Sequence, residues 1–304
     1  MYNYTELKMG EYVLTLNEEK ISPAMQYIGN RNKIITPTYT EPSEIVHYCP
    51  VNAFKNIIIT NLFWMNNLNN VNDKREGKWF IEFANKIITS EFHSDISKED
   101  LILLMLLINI NLQNAYATCF TTLKDNFEKW KIYGDNNTGI AIIINPKVLS
   151  ITRGLPIRSP FATSEESCAL IEINYDIEEQ EKIIKNSINM LNKSRSNIHN
   201  IATYIAKLAY TCKRNNFVTE NEWRILFTPL EYWSGYKINN TESFSICNYF
   251  INNNKKYYGF YLPKDMISEI IIGSNAQITK DEIYKLLSKN NHNIDKIKVY
   301  KSEI

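Results

Sequence analysis

Apolar residues follow two rhythms along this chain. Short apolar or alternating runs at 45–49 (IVHYC), 61–65, 116–121 (YATCFT), 138–144 (TGIAIII), 171–175, 223–227, 257–262, 267–272 and 297–300 predict β-strands. Between them, apolar residues at three- and four-residue steps predict helices. One covers 51–59, and another starts near Lys78, with Trp79, Phe80, Phe83 and Ile87 on one face. A third spans 98–113 with Ser97 or Asp100 as its cap, and a short one spans 125–133 with Asp125 as its cap. The longest runs from 178 to about 214, where Ile184, Ile188, Leu191, Ile198, Ile201, Ile205, Leu208 and Cys212 form one stripe. The last spans 279–289, with Thr279 and Glu282 in capping-box spacing. Strands and helices mix without strict alternation, and no glycine-rich strand–turn–helix appears. The pattern therefore predicts an α+β fold, a mixed sheet with flanking helices, over a doubly wound one.

Residues 1–44 are polar and interrupted by Pro23, Pro37 and Pro42, and read as an N-terminal arm or lead-in; residues 45–304 read as a single α+β domain. The segment NNLNNVNDKREG is rich in residues whose side chains bond their own backbone, which predicts a turn around Asn72, Asp73 and Glu76. Lys and Arg total 34 against 33 Asp and Glu, a net charge of +1, so global charge does not hold a polyanion here. Asn, Ile, Lys and Tyr are abundant, a drift that base composition explains better than any physical demand. The five cysteines (Cys49, Cys119, Cys168, Cys212, Cys247) stand singly, and no two of the four histidines have i, i+4 spacing. This dispersion predicts a reducing cytoplasmic setting, with no disulfide framework and no metal site. No secretory leader is visible in MYNYTELKMGEYVLTL, and the most apolar stretch, 101–108, is far short of the roughly 20 residues that cross a membrane.

The common phosphate, metal and acyl-transfer signatures (GxxxxGK[ST], GxGxxG, HExxH, GxSxG) are missing. Four polar clusters beside aromatic residues remain. His47–Tyr48 lies on the opening strand, where an imidazole can direct a hydrogen bond at a ligand or simply satisfy the core. Asn72–Asp73 with Glu76 is either turn chemistry or a site. In FEKWKIYGDNNTG, the rings of Phe127, Trp130 and Tyr133 are either core or a stacking platform. In TENEWRI, strand alternation would place Glu220, Glu222 and Arg224 on one face and Trp223 and Ile225 on the other. That face is either a solvated ion pair or the densest polar surface in the chain.

In ordered motifs over roughly 45–302 the chain resembles an uncharacterised bacterial family, domain of unknown function 2971. The motifs are HYC (47–49), LFWMNNLNNVND with Glu76, CFTTLKDNFEKWKIYGDNNTGIAI (119–142), ENEWR (220–224) and SEIIIGSNAQITKDEIYKLL (268–287). That family name carries no activity. More distantly, His47 on an early strand and Glu220–Asn221–Glu222 on a later one resemble the arrangement in ADP-ribosyltransferases. The resemblance implies an ADP-ribosyltransferase-like core that uses NAD as substrate. Glu222 would be the residue that stabilises the cationic sugar, Glu220 the one that orients the acceptor, and His47 the anchor of a ribose, on a strand lying beside that of Glu222. Tyr48, Trp64, Trp130 and Tyr133 would offer rings, Asn72 and Asp73 would add polar contacts, and Arg224 would orient. The family's middle motif, Ser-x-Ser or a tyrosine, has only Thr121–Thr122 as a loose counterpart.

The expectation is therefore an NAD-using, metal-independent transferase acting on a protein or nucleic acid, with a toxin or antiphage role, an operon-encoded partner and no membrane association. The alternative is a non-enzymatic module that recognises a partner protein or a nucleotide. A nuclease built on Asp73, Glu76 and Glu222 is the weaker reading, because no basic cluster adjoins these acids in the sequence.

Overall fold

A computed structural model describes residues 41–70, 75, 77–92, 96–112, 115–156, 167–193, 198–229, 250–263 and 265–304, with the backbone alone at 4–9 and 12–17. Its elements are β1 (Tyr4–Met9), β2 (Tyr12–Asn17), β3 (Ile45–Cys49), α1 (Val51–Thr60), β4 (Leu62–Asn67), α2 (Lys78–Glu91), α3 (Lys98–Asn111) and β5 (Tyr116–Thr121). There follow α4 (Phe127–Ile132), β6 (Ile140–Ile144), β7 (Cys168–Glu172), α5 (Ile177–Lys193), α6 (Ile198–Leu208) and β8 (Glu222–Phe227). The chain closes with β9 (Phe250–Asn252), β10 (Lys255–Tyr261), β11 (Ile267–Ile272), α7 (Lys280–Lys289) and β12 (Lys298–Lys301). This is a mixed α+β architecture.

Where the sequence suggests one domain over 45–304, the contacts group the chain into two interleaved compact units. The first comprises residues 1–38, 81–112 and 178–207. It holds the β1–β2 hairpin, most of α2, all of α3 and nearly all of α5 and α6. The single helix expected over 178–214 is recorded as two, Ile177–Lys193 and Ile198–Leu208, with 194–197 outside the described residues. Helix ends at Leu208, because the backbone then turns to pair Cys212 with Asn174. The expected stripe is nevertheless buried at Ile184, Ile188, Ile198, Ile201 and Ile205.

The second unit comprises residues 39–80, 113–177 and 208–304. Among the described residues it carries a ten-stranded sheet in which β11 and β12 run parallel and the other pairs antiparallel. One sheet face packs the main core, including Phe63, Phe120, Trp223, Ile225 and Phe260, with Ile283 and Leu287 of α7 packed into it. β6 is buried on both faces: Ile140, Ile142 and Ile144 join that core, while Ala141 and Ile143 join Val46, Tyr48 and Trp130 on the other face. That explains why TGIAIII reads as a continuous apolar run rather than an alternating one.

The sheet forks at β5. β8 pairs with β5 along its whole length, from Tyr116↔Phe227 to Thr121↔Glu222. The opposite edge of β5 meets β4 only at Tyr116 and Ala117 and β3 only at Thr121. Between those ends β3 and β4 diverge, and side chains replace the missing ladder. His47 Nδ1–H donates to the Cys119 carbonyl at 2.9 Å, and Thr118 Oγ1–H donates to the Trp64 carbonyl at 3.1 Å. The His47 ring also meets Phe63 and Phe120, with centroids 5.1 and 5.6 Å away.

Capping chemistry follows the sequence at two helices and departs at one. Ser97 caps α3, and Thr279 with Glu282 forms the expected capping box on α7. At α4 the cap is Asn126, whose side chain accepts from Lys129 N at 3.2 Å, and not Asp125. Asp125 instead turns left-handed (φ 46°) and accepts from Trp130 Nε1 at 2.6 Å and Ser302 Oγ at 2.7 Å.

The buried stripe yields a direct test. Ile188 and Ile205 are both fully buried, so Ile188→Asp and Ile205→Asp each place an unpaired carboxylate among apolar groups. Each substitution is expected to cost about 3 kcal/mol or more, seen as a depressed thermal midpoint by circular dichroism. Wild-type melting of both variants would show that the stripe is solvated.

Candidate functional site

On the sheet face opposite the main core, alternation brings Trp64 and Asn66 of β4, Cys119 and Thr121 of β5, and Glu222 and Arg224 of β8 to one floor. Lys129 and Tyr133 of the α4 region, Lys213, Phe217 and Glu220 from the approach to β8, and Tyr257 of β10 complete the walls of a cavity of about 470 Å³. This size falls in the range of small-molecule sites. The whole cavity belongs to the second unit.

A charged network occupies its β8 end. Arg224 is 2% exposed and places Nε 2.6 Å from Glu222 Oε1 and Nη2 3.1 Å from Oε2, a bidentate pair. Its Nη1 donates to the Tyr210 carbonyl at 3.1 Å. Lys213 Nζ bridges the two acids, 2.6 Å from Glu222 Oε2 and 2.7 Å from Glu220 Oε2. The Cys119 thiol donates a further hydrogen bond to the Glu222 carboxylate. Burial alone would raise the Glu222 pKa, but Arg224 and Lys213 outweigh it and hold the carboxyl well below the usual range. Desolvation within the cavity, and then the Glu222 charge, push the Cys119 thiol well up, so it stays a neutral donor although the residue is open to the cavity. Tyr133 is raised to about 12 by burial and then by the charges of Glu220 and Glu222.

His47 lines the cavity from the fork. Because its partner is a carbonyl oxygen, Nδ1 carries the proton, which leaves Nε2 as an acceptor in the neutral ring. Burial lowers its pKa, so it resists charging.

The structure gathers His47, Tyr48, Trp64, Tyr133, Glu220, Glu222 and Arg224 around this one cavity. It corrects four details. The strand bearing His47 does not lie beside β8, since β5 runs between them. Glu220 is not on the strand: it ends the 3-10 turn Asn215–Glu220, and left-handed Asn221 (φ 43°) redirects the chain into β8. Trp130 is no ring platform. It is fully buried, holds Asp125, and lies edge-on to Tyr48 with ring centroids 4.9 Å apart. Tyr48 is largely spent too, donating to the Leu123 carbonyl and accepting from Asn126 N. Asn72, Asp73 and Glu76 lie outside the described residues. Thr121 lines the cavity, but its hydroxyl is bound to the Glu220 carbonyl at 2.8 Å.

Sequence reasoning missed Cys119, Lys129, Lys213, Lys255, Lys256 and Tyr257. Alternation within YATCFT does place Cys119 with Thr121 opposite Phe120. No local pattern announces the lysines, which come from a helix, a turn and the strand next to the sheet's edge. The absence of a basic run near the acids therefore misleads. Lys129, Lys213, Arg224, Lys255 and Lys256 line the cavity against two carboxylates, Glu220 and Glu222. Among the described residues there is no cluster of His, Cys, Asp and Glu able to hold a metal ion, and no helix is long and apolar enough to cross a membrane.

Compared with protein-family models, residues 129–225 match the family described as Protein of unknown function (DUF2971). The matched stretch is narrower than the motifs suggest and runs from Lys129 to the middle of β8. No curated protein and no solved structure matches the chain, and no comparison returns an ADP-ribosyltransferase.

Two outcomes follow from this geometry. Glu222→Leu removes the carboxylate that the buried Arg224 guanidinium grips through two bonds, and is expected to cost about 3–5 kcal/mol in denaturant titrations. Arg224→Met should cost less, because Lys213 and Cys119 still attend the carboxylate. The second outcome concerns His47, whose folded pKa lies below its unfolded value near 6.5. Below that pH the unfolded chain takes up a proton that the folded chain refuses, so stability falls as pH drops from 6.5. His47→Asn keeps an N–H donor and should flatten the decline between about pH 6.5 and 5, at most by about 1.4 kcal/mol per pH unit. His292, lowered in the same direction, keeps a residual slope in both proteins.

Proposed function

We propose that this cavity is the active site of an NAD-using, ADP-ribosyltransferase-like enzyme. The observation that carries the reading is the convergence of His47, Glu220, Glu222 and Arg224 with the rings of Trp64 and Tyr133 on one cavity at the fork of the sheet. Transfer breaks the bond between ribose C1′ and the nicotinamide nitrogen, and the electron pair leaves with neutral nicotinamide. The acceptor's nucleophile attacks C1′ and gives up its proton. The positive charge that develops on the sugar calls for a carboxylate held ionised and fixed in place. Glu222 supplies it, kept ionised by Arg224 and Lys213. Lys213 is shared with Glu220, so when it leaves Glu222 it stays paired and uncovers an oxygen for a ribose hydroxyl. His47 Nε2 accepts from a second hydroxyl, Trp64 and Tyr133 offer ring faces, and Glu220 orients an acceptor on a protein or nucleic acid.

One observation favours a second reading, a non-enzymatic module that binds a nucleotide. Arg224 Nε and Nη2, Lys213 Nζ and the Cys119 thiol already give Glu222 four donors, as many as a carboxylate has lone-pair sites. On that reading the network is a rigid wall and no bond breaks.

Nicotinamide release from NAD by the purified protein, with and without a lysate supplying acceptors, separates the two. Glu222→Gln keeps the shape and an acceptor oxygen but loses a charge useful mainly in the transition state. It is expected to abolish release while NAD still binds, whereas Glu220→Gln should cut transfer to the acceptor more than simple hydrolysis. Wild-type protein that binds NAD and never releases nicotinamide in either condition would favour the binding module.

A further inference from the structure

Resting on the reading of the cavity as a nucleotide site, we propose that Lys129 receives a phosphate of the ligand. The site would then select phosphorylated nucleosides over free nucleosides and bases.

The argument begins with charge. Glu220 and Glu222 are matched by Lys213 and Arg224 through direct contacts, so the network closes on itself. Of the three other lysines that line the cavity, Lys255 is exposed and Lys256 half-buried, and Lys129 alone is a buried residue. Its residue is only 4% exposed, and among the described residues its ammonium makes no hydrogen bond and no ion pair. Its Nζ stands over the Tyr133 ring, 5.7 Å from the centroid. The ammonium opens on the cavity with Glu220 and Glu222 near it but in contact with other cations, and a ligand anion there gives it a direct partner.

The helix that carries Lys129 gives it little freedom to withdraw. Asn126 caps its backbone N–H, and the next residue, Trp130, is buried and tied to Asp125 at 2.6 Å. Behind Trp130 the chain turns at Gly134, where an added Cβ would come within 2.4 Å of the indole. The ammonium is therefore presented to the cavity by a fixed scaffold, as a ligand-binding charge must be.

The opposite end of the cavity suits a ring. Trp64 and Tyr257 stand with ring centroids 5.3 Å apart on β4 and β10. From β10 across β4 and β5 to β8 is three strand spacings, on the order of 14 Å. Lys129 belongs to the β8 end, since it feels the charges of Glu220 and Glu222. A ligand with a flat ring at one end and an anion at the other satisfies both, as a nucleoside phosphate does.

The test is isothermal titration of the full chain with ADP, ADP-ribose, adenosine and inorganic pyrophosphate, for wild type, Lys129→Met and Lys129→Arg. Wild type should bind ADP more tightly than adenosine. Lys129→Met should weaken ADP and pyrophosphate roughly 10- to 100-fold and leave adenosine unchanged. Lys129→Arg should restore most of the difference. The thermal midpoint of Lys129→Met should stay at or above that of wild type, because the ammonium makes no bond within the protein; a purely structural lysine would lower it. Equal affinity for ADP and adenosine in wild type, no binding of either, or full ADP affinity in Lys129→Met each overturns the proposal. Lys129-dependent ADP binding without nicotinamide release upholds the phosphate site and removes the transferase. Nicotinamide release with an unaltered KM for NAD in Lys129→Met does the reverse.

Discussion

A guanidinium cannot be buried in a sheet without an anion opposite it, and that constraint organises the β8 half of the second unit. Arg224 meets Glu222 two residues earlier on the same strand, so alternation alone puts both on one face. The pair then demands more partners than β8 can offer. Tyr210 supplies a carbonyl, Lys213 a second cation, and Cys119 a thiol donor from the neighbouring strand. Each comes from a segment whose path is set by that obligation. The 3-10 turn and left-handed Asn221 before β8 bring Glu220 back over the strand so that Lys213 can bridge both acids. A buried pair of this kind adds little net stability over an apolar substitute, yet removing one member is expensive. The network is better understood as a specification of geometry than as a source of stability.

The fork at β5 is the second determinant. An ordinary sheet would hydrogen-bond both edges of β5 throughout. Here β3 and β4 share one edge and leave it between their contacts, and the unpaired backbone is satisfied by His47 and Thr118. The imidazole thus has a structural duty that fixes its tautomer, while its burial keeps it neutral. The same duty leaves Nε2 as the ring's remaining acceptor. One residue can serve both purposes because its two nitrogens are chemically distinct.

Charge is distributed unevenly at the scale that matters. Over the whole chain positive and negative residues nearly cancel, at 34 against 33. The cavity nonetheless collects five cationic side chains against two carboxylates, because a helix, a turn and two strands converge on it. Net charge rules out binding through a global field, and it says nothing about a pocket built from distant segments.

Much of the local structure is legible in the residues themselves. Period-2 runs locate β3, β5, β8 and β11, and i, i+3, i+4 spacing locates α2 and the buried stripe of α5 and α6. Ser97 and the Thr279–Glu282 box mark two helix starts, because these signals act within a few residues. His47, Glu222 and Arg224 are visible for the same reason: a polar residue in an apolar strand is locally anomalous. The role of Asp125 is not, since its partner Ser302 lies 177 residues away. Nor is Trp130 readable as core rather than platform, because helical spacing states which residues share a face and not what that face meets. Lys129 and Lys213 look like ordinary surface lysines in sequence. Only the tertiary structure, by folding β8 against β5 and closing α4 over the same face, turns Lys213 into a bridge between two acids and sets Lys129 in the cavity wall with no bonded anion.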